Sequence, residues 1–96
     1  MGGELVEVAR FADRTSRHAL ELTVLEEYLS RYPAGDRLDE VHYLLGGLLE
    51  KAWEGRDLQR SRTSYEEVVR RYPTSAFSLA SGERIDYLKR HFFYVR

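Results

Sequence analysis

The chain has no cysteine and only two prolines in 96 residues. Without cysteine, disulfides, thiolate metal sites and a cysteine nucleophile are excluded, and a reducing or an oxidising compartment is equally allowed. Neither sign of charge dominates: 15 Lys and Arg stand against 16 Asp and Glu, a net charge of -1. No bulk field therefore recruits nucleic acid or an anionic membrane. No apolar run approaches the roughly 20 residues that cross a bilayer, so no direct membrane insertion is expected. Met1-Gly2-Gly3 offers neither a basic n-region nor an apolar h-region. It reads as a remnant of trimming a longer protein rather than as a signal peptide. What is present, 43% hydrophobic and 32% charged residues, is a globular balance. The length fits one domain, 1–96, near the lower end of comfortable core size.

Both prolines belong to the same tripeptide. Arg31-Tyr32-Pro33 and Arg71-Tyr72-Pro73 lie 40 residues apart. Proline cannot continue a helix and pushes the preceding residue out of helical geometry. A fixed period of this size indicates stacked helical hairpins. Softer breaks fall at 13–16 and at 53–57, where Gly55 supplies the turn. The pattern predicts five helices, over about 4–12, 17–32, 36–53, 57–72 and 75–92. In the third, Leu38, Val41, Leu45, Leu48 and Ala52 form one apolar stripe. Leu44 and Leu49 widen it, as expected of a helix with two neighbours. Asp36 is the expected N-cap. Gly82 is expected to kink the fifth helix or delay its start. Thr63-Ser64-Tyr65-Glu66 matches a capping box but lies mid-helix, so it is set aside. Short connections make consecutive helices antiparallel neighbours.

The segment Arg31–Gly46, RYPAGDRLDEVHYLLG, resembles the tetratricopeptide repeat, in the flavour of bacterial cell-envelope proteins. Gly55-Arg56-Asp57-Leu58 is similar to that family's turn, Ser61 stands at a small-residue position, and Tyr65 and Tyr72-Pro73 match its aromatic and terminal proline. The resemblance spans about Glu21 to Leu88. It departs from the family in its 40-residue period, in Glu21 where a small residue belongs, and in Asp86 where glycine belongs. The outer hairpins thus read as caps or edges of an array. The resemblance implies an all-α fold of antiparallel hairpins stacked as a right-handed solenoid fragment. It also implies a non-catalytic interaction or scaffold role and a periplasmic or cell-envelope setting; composition leaves the cytoplasm open.

Chemistry has little foothold. Gly46-Gly47 follows no strand and opens no helix, so it reads as close packing rather than a phosphate loop. His18, His42 and His91 lack the carboxylate set of a metal site, and no serine has a base and oxyanion hole arranged beside it. No enzyme activity, cofactor or metal is expected. The pairs Glu26-Glu27 and Glu66-Glu67 recur with the repeat and read as the solvated face of each second helix. Arg56, Arg60, Arg70 and Arg71 give the fourth helix a basic side. Interleaved acids favour a solvated face there, with nucleic acid or an acidic peptide as the rival use.

Two surfaces are candidate interfaces. In tetratricopeptide arrays the first helix of each hairpin lines the concave groove. The resemblance therefore assigns Tyr43, Gly47, Glu50 and Lys51, with Glu7, Arg10 and Phe11 before them and Glu83, Tyr87, Arg90 and His91 after, to a peptide-binding lining. The second is the aromatic carboxyl end, Phe92, Phe93, Tyr94 and Val95, where a terminal repeat normally presents a polar face. It points to self-association or continuation of the array, unless Phe92 and Val95 fold back onto Ile85 and Leu88. A protein or peptide partner is expected, with an obligate homo-oligomer as the alternative.

Overall fold

The computed structural model describes residues 2–93. Among them the order is α1 (Gly3–Arg14), α2 (His18–Arg31), α3 (Leu38–Glu50), α4 (Leu58–Arg71) and α5 (Ser78–Leu88), which continues into a π-helical turn at Lys89–Phe93. The architecture is all-α and tetratricopeptide-like. Helix α1 packs on α2, α3 on α4, and α4 on α5; α2 packs on α3, and α1 also touches α3.

Both Arg-Tyr-Pro stops are built alike. The Tyr32 and Tyr72 amides donate to the carbonyls of Tyr28 and Val68 at 2.8 and 2.9 Å. The two tyrosines share a backbone geometry, φ -130 ψ 61 and φ -131 ψ 55. Their carbonyls accept from Gly35 and Ser75, each at 3.0 Å. Arg31 and Arg71 lie over the two rings at 5.7 and 5.8 Å, a cation–π contact. Tyrosine closes the helix and shields its last turn; proline prevents resumption.

Helix ends differ from expectation where side chains intervene. Helix α3 begins at Leu38, after N-cap Arg37, not at Asp36. Tyr28 Oη accepts from the Arg37 amide at 3.2 Å, and a Cβ on Gly35 would meet that oxygen at 2.5 Å. The turn is thus moulded on Tyr28. The same helix stops at Glu50 rather than at 53. Lys51 is extended, and Trp53 Nε1 donates to the Leu48 carbonyl at 2.9 Å. Asp57 caps α4, its Oδ1 accepting from the Arg60 amide at 3.0 Å. Helix α5 starts at Ser78, because Ser75 Oγ accepts from the Phe77 amide at 3.0 Å and holds a separate turn. It runs through Gly82 unbroken. Thr63 is mid-helix as read, its hydroxyl donating back to Gln59.

Two apolar clusters hold the stack. The larger joins α1, α2 and α3 through residues such as Val6, Ala9, Leu25, Tyr28, Val41, Leu45 and Leu48. The smaller is Tyr65, Ile85 and Leu88, with Tyr43, Leu58, Tyr87 and Phe93 packed against it.

Candidate interaction surfaces

The structure divides the predicted groove residues among several jobs. On the α1–α3 side, charges staple the helices. Arg10 bonds Glu40, which also accepts from Arg37 Nε at 2.9 Å; Arg37 reaches Glu7 at 3.1 Å. Lys51 Nζ donates to Asp13 Oδ1 at 2.8 Å. Glu40 is buried, so this four-charge chain keeps it hydrogen-bonded. Phe11 is exposed beneath Arg17, whose guanidinium lies 5.5 Å from the ring.

Glu50 binds α3 to α4 and α5. It accepts from the Tyr65 hydroxyl and from Arg84, whose Nε lies at 3.1 Å. Burial first, and then this hydrogen bond, push the Tyr65 phenol far above its ordinary pKa. Gly47 leaves 3.5 Å between a built Cβ and Tyr65 Oη, so packing does not demand glycine there. Gly46 does demand it, since a Cβ would meet the Tyr65 ring at 2.8 Å.

Tyr43, on α3, packs against two other aromatic rings. Its ring is 5.1 Å from Phe77 and 5.9 Å from Tyr65. With Leu44, Arg10, Asp13 and Arg14 it lines a depression of about 260 Å³. Of the residues around it, Asp13, Arg14, Leu44 and Phe77 were not on the predicted lining. Glu83 lines a different groove, between α4 and α5. Tyr87 stacks on His91 at 4.2 Å beneath Arg84, and Arg90 is exposed.

At the carboxyl end, Phe93 rather than Phe92 folds back onto the smaller cluster, with Arg62 over its ring at 5.0 Å. Phe92 is 43% exposed and carries Arg56 at 5.3 Å. Tyr94 and Val95 lie outside the described residues. Of the four arginines on the basic side, Arg60 is ion-paired with Glu26, and Arg70 and Arg71 with Glu67, whereas Arg56 has no ion pair among the described residues; Arg62 of the same helix pairs with Glu66. Burial raises the Glu67 pKa, and the two arginine hydrogen bonds outweigh it, so the carboxyl sits below its usual range. The glutamate pairs are therefore not simply solvated: Glu26 bridges α2 to α4.

One buried group had no place in the interface reading. Glu21 on α2 is fully buried, and neither carboxyl oxygen has a hydrogen-bond donor. Burial, then the nearby Asp13 carboxylate, raise its pKa to about 8, against the opposing pull of Lys51. Burial thus favours the protonated form of this carboxyl. His18 Nδ1, also buried without a partner, lies on the same helix.

Sequentially packed helices, matching Arg-Tyr-Pro stops and charges spent on stapling helices define a helical-repeat module of tetratricopeptide type. The family model for YfiO, an outer membrane lipoprotein, matches residues 8–95, and the chain belongs to that family. The cell-envelope setting that the resemblance implied is the family's own. The chain is also 26% identical over 92 residues to an uncharacterized protein of Treponema pallidum (strain Nichols), covering 95% of this chain and 17% of that relative. It therefore spans about a sixth of that protein's length. No solved structure matches it. No helix is long and apolar enough to cross a membrane, among the described residues.

Proposed function

We propose that the chain is a non-catalytic protein-interaction module of outer-membrane assembly that holds a peptide segment on its concave side. The carrying observation is the depression around Tyr43 and Phe77, an aromatic floor bordered by Arg10 and Arg14. Arg10 is committed to Glu40, whereas Arg14 has no ion-pair partner among the described residues. An extended or helical peptide with one apolar anchor and a nearby carboxylate suits that floor. Three of the other predicted lining residues, Glu7, Glu50 and Lys51, act in this reading as the frame that fixes α1 and α5 around α3.

The test is selection of binders from a random peptide library, followed by titration against Arg14→Glu and Phe77→Ala variants. The reading expects selected peptides to carry an apolar residue beside an acid, and each variant to weaken binding by about tenfold, or about 1.4 kcal/mol. Selected peptides that bind both variants as tightly as the parent contradict it.

A second reading is favoured by the exposure of Phe92: assembly through the aromatic carboxyl end. Phe93 serves the fold in this reading and Phe92 serves the contact. Light scattering after size exclusion decides it; a parent larger than a monomer and a monomeric Phe92→Ser variant support it, and two monomers remove it.

A further inference from the structure

Glu21 has no exposed surface, and neither surface reading uses it. It lies on α2, against which α1 and α3 both pack. Each of them sends one charged group toward it: Asp13 from the last turn of α1, and Lys51 from the C-cap of α3. His18, one turn earlier on α2, buries an unpartnered Nδ1 and faces Trp53, with ring centres 5.3 Å apart. Helix α4 offers α2 Arg60, which Glu26 already holds.

Asp13 and Lys51 are paired with each other at 2.8 Å, each a little over a third exposed. A hydrogen bond between the Glu21 and Asp13 carboxyls acts in the same direction as burial and holds the proton on Glu21. Two carboxylates have no donor between them, so that bond exists only while the proton is present. Glu21 then donates to Asp13, which also accepts from Lys51, and the three residues tie α2, α1 and α3 at one point. Loss of the proton leaves two like charges facing each other. Glu21 cannot retreat, since its helix is anchored one turn further on by buried Val24 and Leu25. Asp13 can, because it stands at the partly exposed end of α1, so the repulsion falls on that end.

The backbone there is under strain. Ser16, in the turn to α2, has φ 57, in the left-handed region that a residue other than glycine rarely adopts. Such a conformation persists only where its surroundings enforce it. Two amides close the helix, Thr15 on the Phe11 carbonyl at 3.0 Å and Arg17 on the Ala12 carbonyl at 2.8 Å. Further back α1 is held separately, by Val6 and Ala9 in the core and by Arg10 on Glu40. The second hairpin has no such pair: adding 40 puts Trp53, Ser61 and His91 at the three places.

We propose that Glu21 and Asp13 form a proton-operated latch, in which a proton between the two carboxyls holds the last turn of α1 against α2 and its loss frees that turn. Asp13 and Arg14 border the depression around Tyr43, so release alters the edge at which a peptide carboxylate is met. That consequence rests on the concave-side reading; the latch itself does not.

The latch is tested without a peptide, so its failure and that of the concave-side reading are told apart. Carbon-13 NMR of the side-chain carboxyls and amide exchange are followed in the 96-residue chain from about pH 5 to about pH 9.5. The Glu21 and Asp13 carboxyl carbons are expected to shift together through a midpoint of about 8. Protection of the Thr15 and Arg17 amides is expected to fall at least about tenfold across it, while the Tyr72 amide at the end of α4 keeps its protection. Glu21→Gln keeps a donor toward Asp13 and cannot titrate, so the fall disappears. Asp13→Asn supplies a donor to ionised Glu21, so it also removes the fall and lowers the Glu21 midpoint. A Glu21 carboxyl that titrates near the ordinary 4.5 overturns the proposal. So does a fall at Thr15 and Arg17 that persists in both variants, or a titration of Glu21 that leaves those two amides unmoved.

Discussion

The two hairpins share a backbone register and solve the same packing problem with opposite side chains. In the first, α1 presents Val6 and α2 answers with Leu25, both fully buried in one cluster. In the second, the counterpart positions hold Gly46 and Tyr65. The helix with no side chain admits the larger ring. One turn earlier on the second helix of each hairpin, Ser61 satisfies itself on the Gly46 carbonyl, whereas Glu21 is buried without a donor. The volume is shared out differently, and the polar cost falls on the first hairpin. The repeat therefore specifies where helices meet, and local pairs decide how firmly and under what conditions.

The largest departure between the hairpins should come from Glu21. Its folded-state pKa, about 8, lies above the ordinary 4.5. Its contribution is fully present below pH 4.5 and is lost as pH rises through about 8. At about 1.36 kcal/mol per pKa unit the ceiling is roughly 5 kcal/mol. Urea unfolding of Glu21→Ser, which installs the second hairpin's residue, should be nearly flat across that window where the parent declines. A parent that holds its stability to pH 9 breaks the comparison.

Next comes the exchange of packing solutions. Gly46→Val drives atoms into the Tyr65 ring and is expected to cost about 2–3 kcal/mol. Adding Tyr65→Leu, which imports the Val6 and Leu25 arrangement, should recover about half, a coupling that a double-mutant cycle measures. Simple additivity of the two changes contradicts the compensation.

Glu50→Gln is expected to cost about 1–2 kcal/mol, because Tyr65 and Arg84 lose a charged acceptor. Hydrogen exchange should rise in α5 before it rises in α1, whose ion pairs do not involve Glu50. The smallest effect belongs to the paired ends: Arg31→Ala and Arg71→Ala should each cost within about 0.5 kcal/mol, as exposed ion pairs do. Unequal losses in thermal melts would mean that the two stops are not equivalent.

The fold was legible because its determinants are local. Proline after tyrosine, the stripe in α3 and Asp57 before α4 act within one or two turns of their own helix. The boundaries at 36 and 53 were not, since Tyr28 and Trp53 shape them from elsewhere in the chain. Site assignment suffered for a related reason. A helix face names which residues point together, but Glu7, Glu50 and Lys51 are claimed by ion partners some 30 or more residues away for the first and third, and by both α4 and α5 for the second.

The most direct test of the concave-side reading is an amide and methyl chemical-shift map of the labelled chain titrated with a library-selected peptide. The reading predicts that shifts gather at Arg10, Arg14, Tyr43, Leu44 and Phe77, with Val69, Leu79 and Gly82 still. Shifts that spare Tyr43 and Phe77, wherever else they fall, would contradict it.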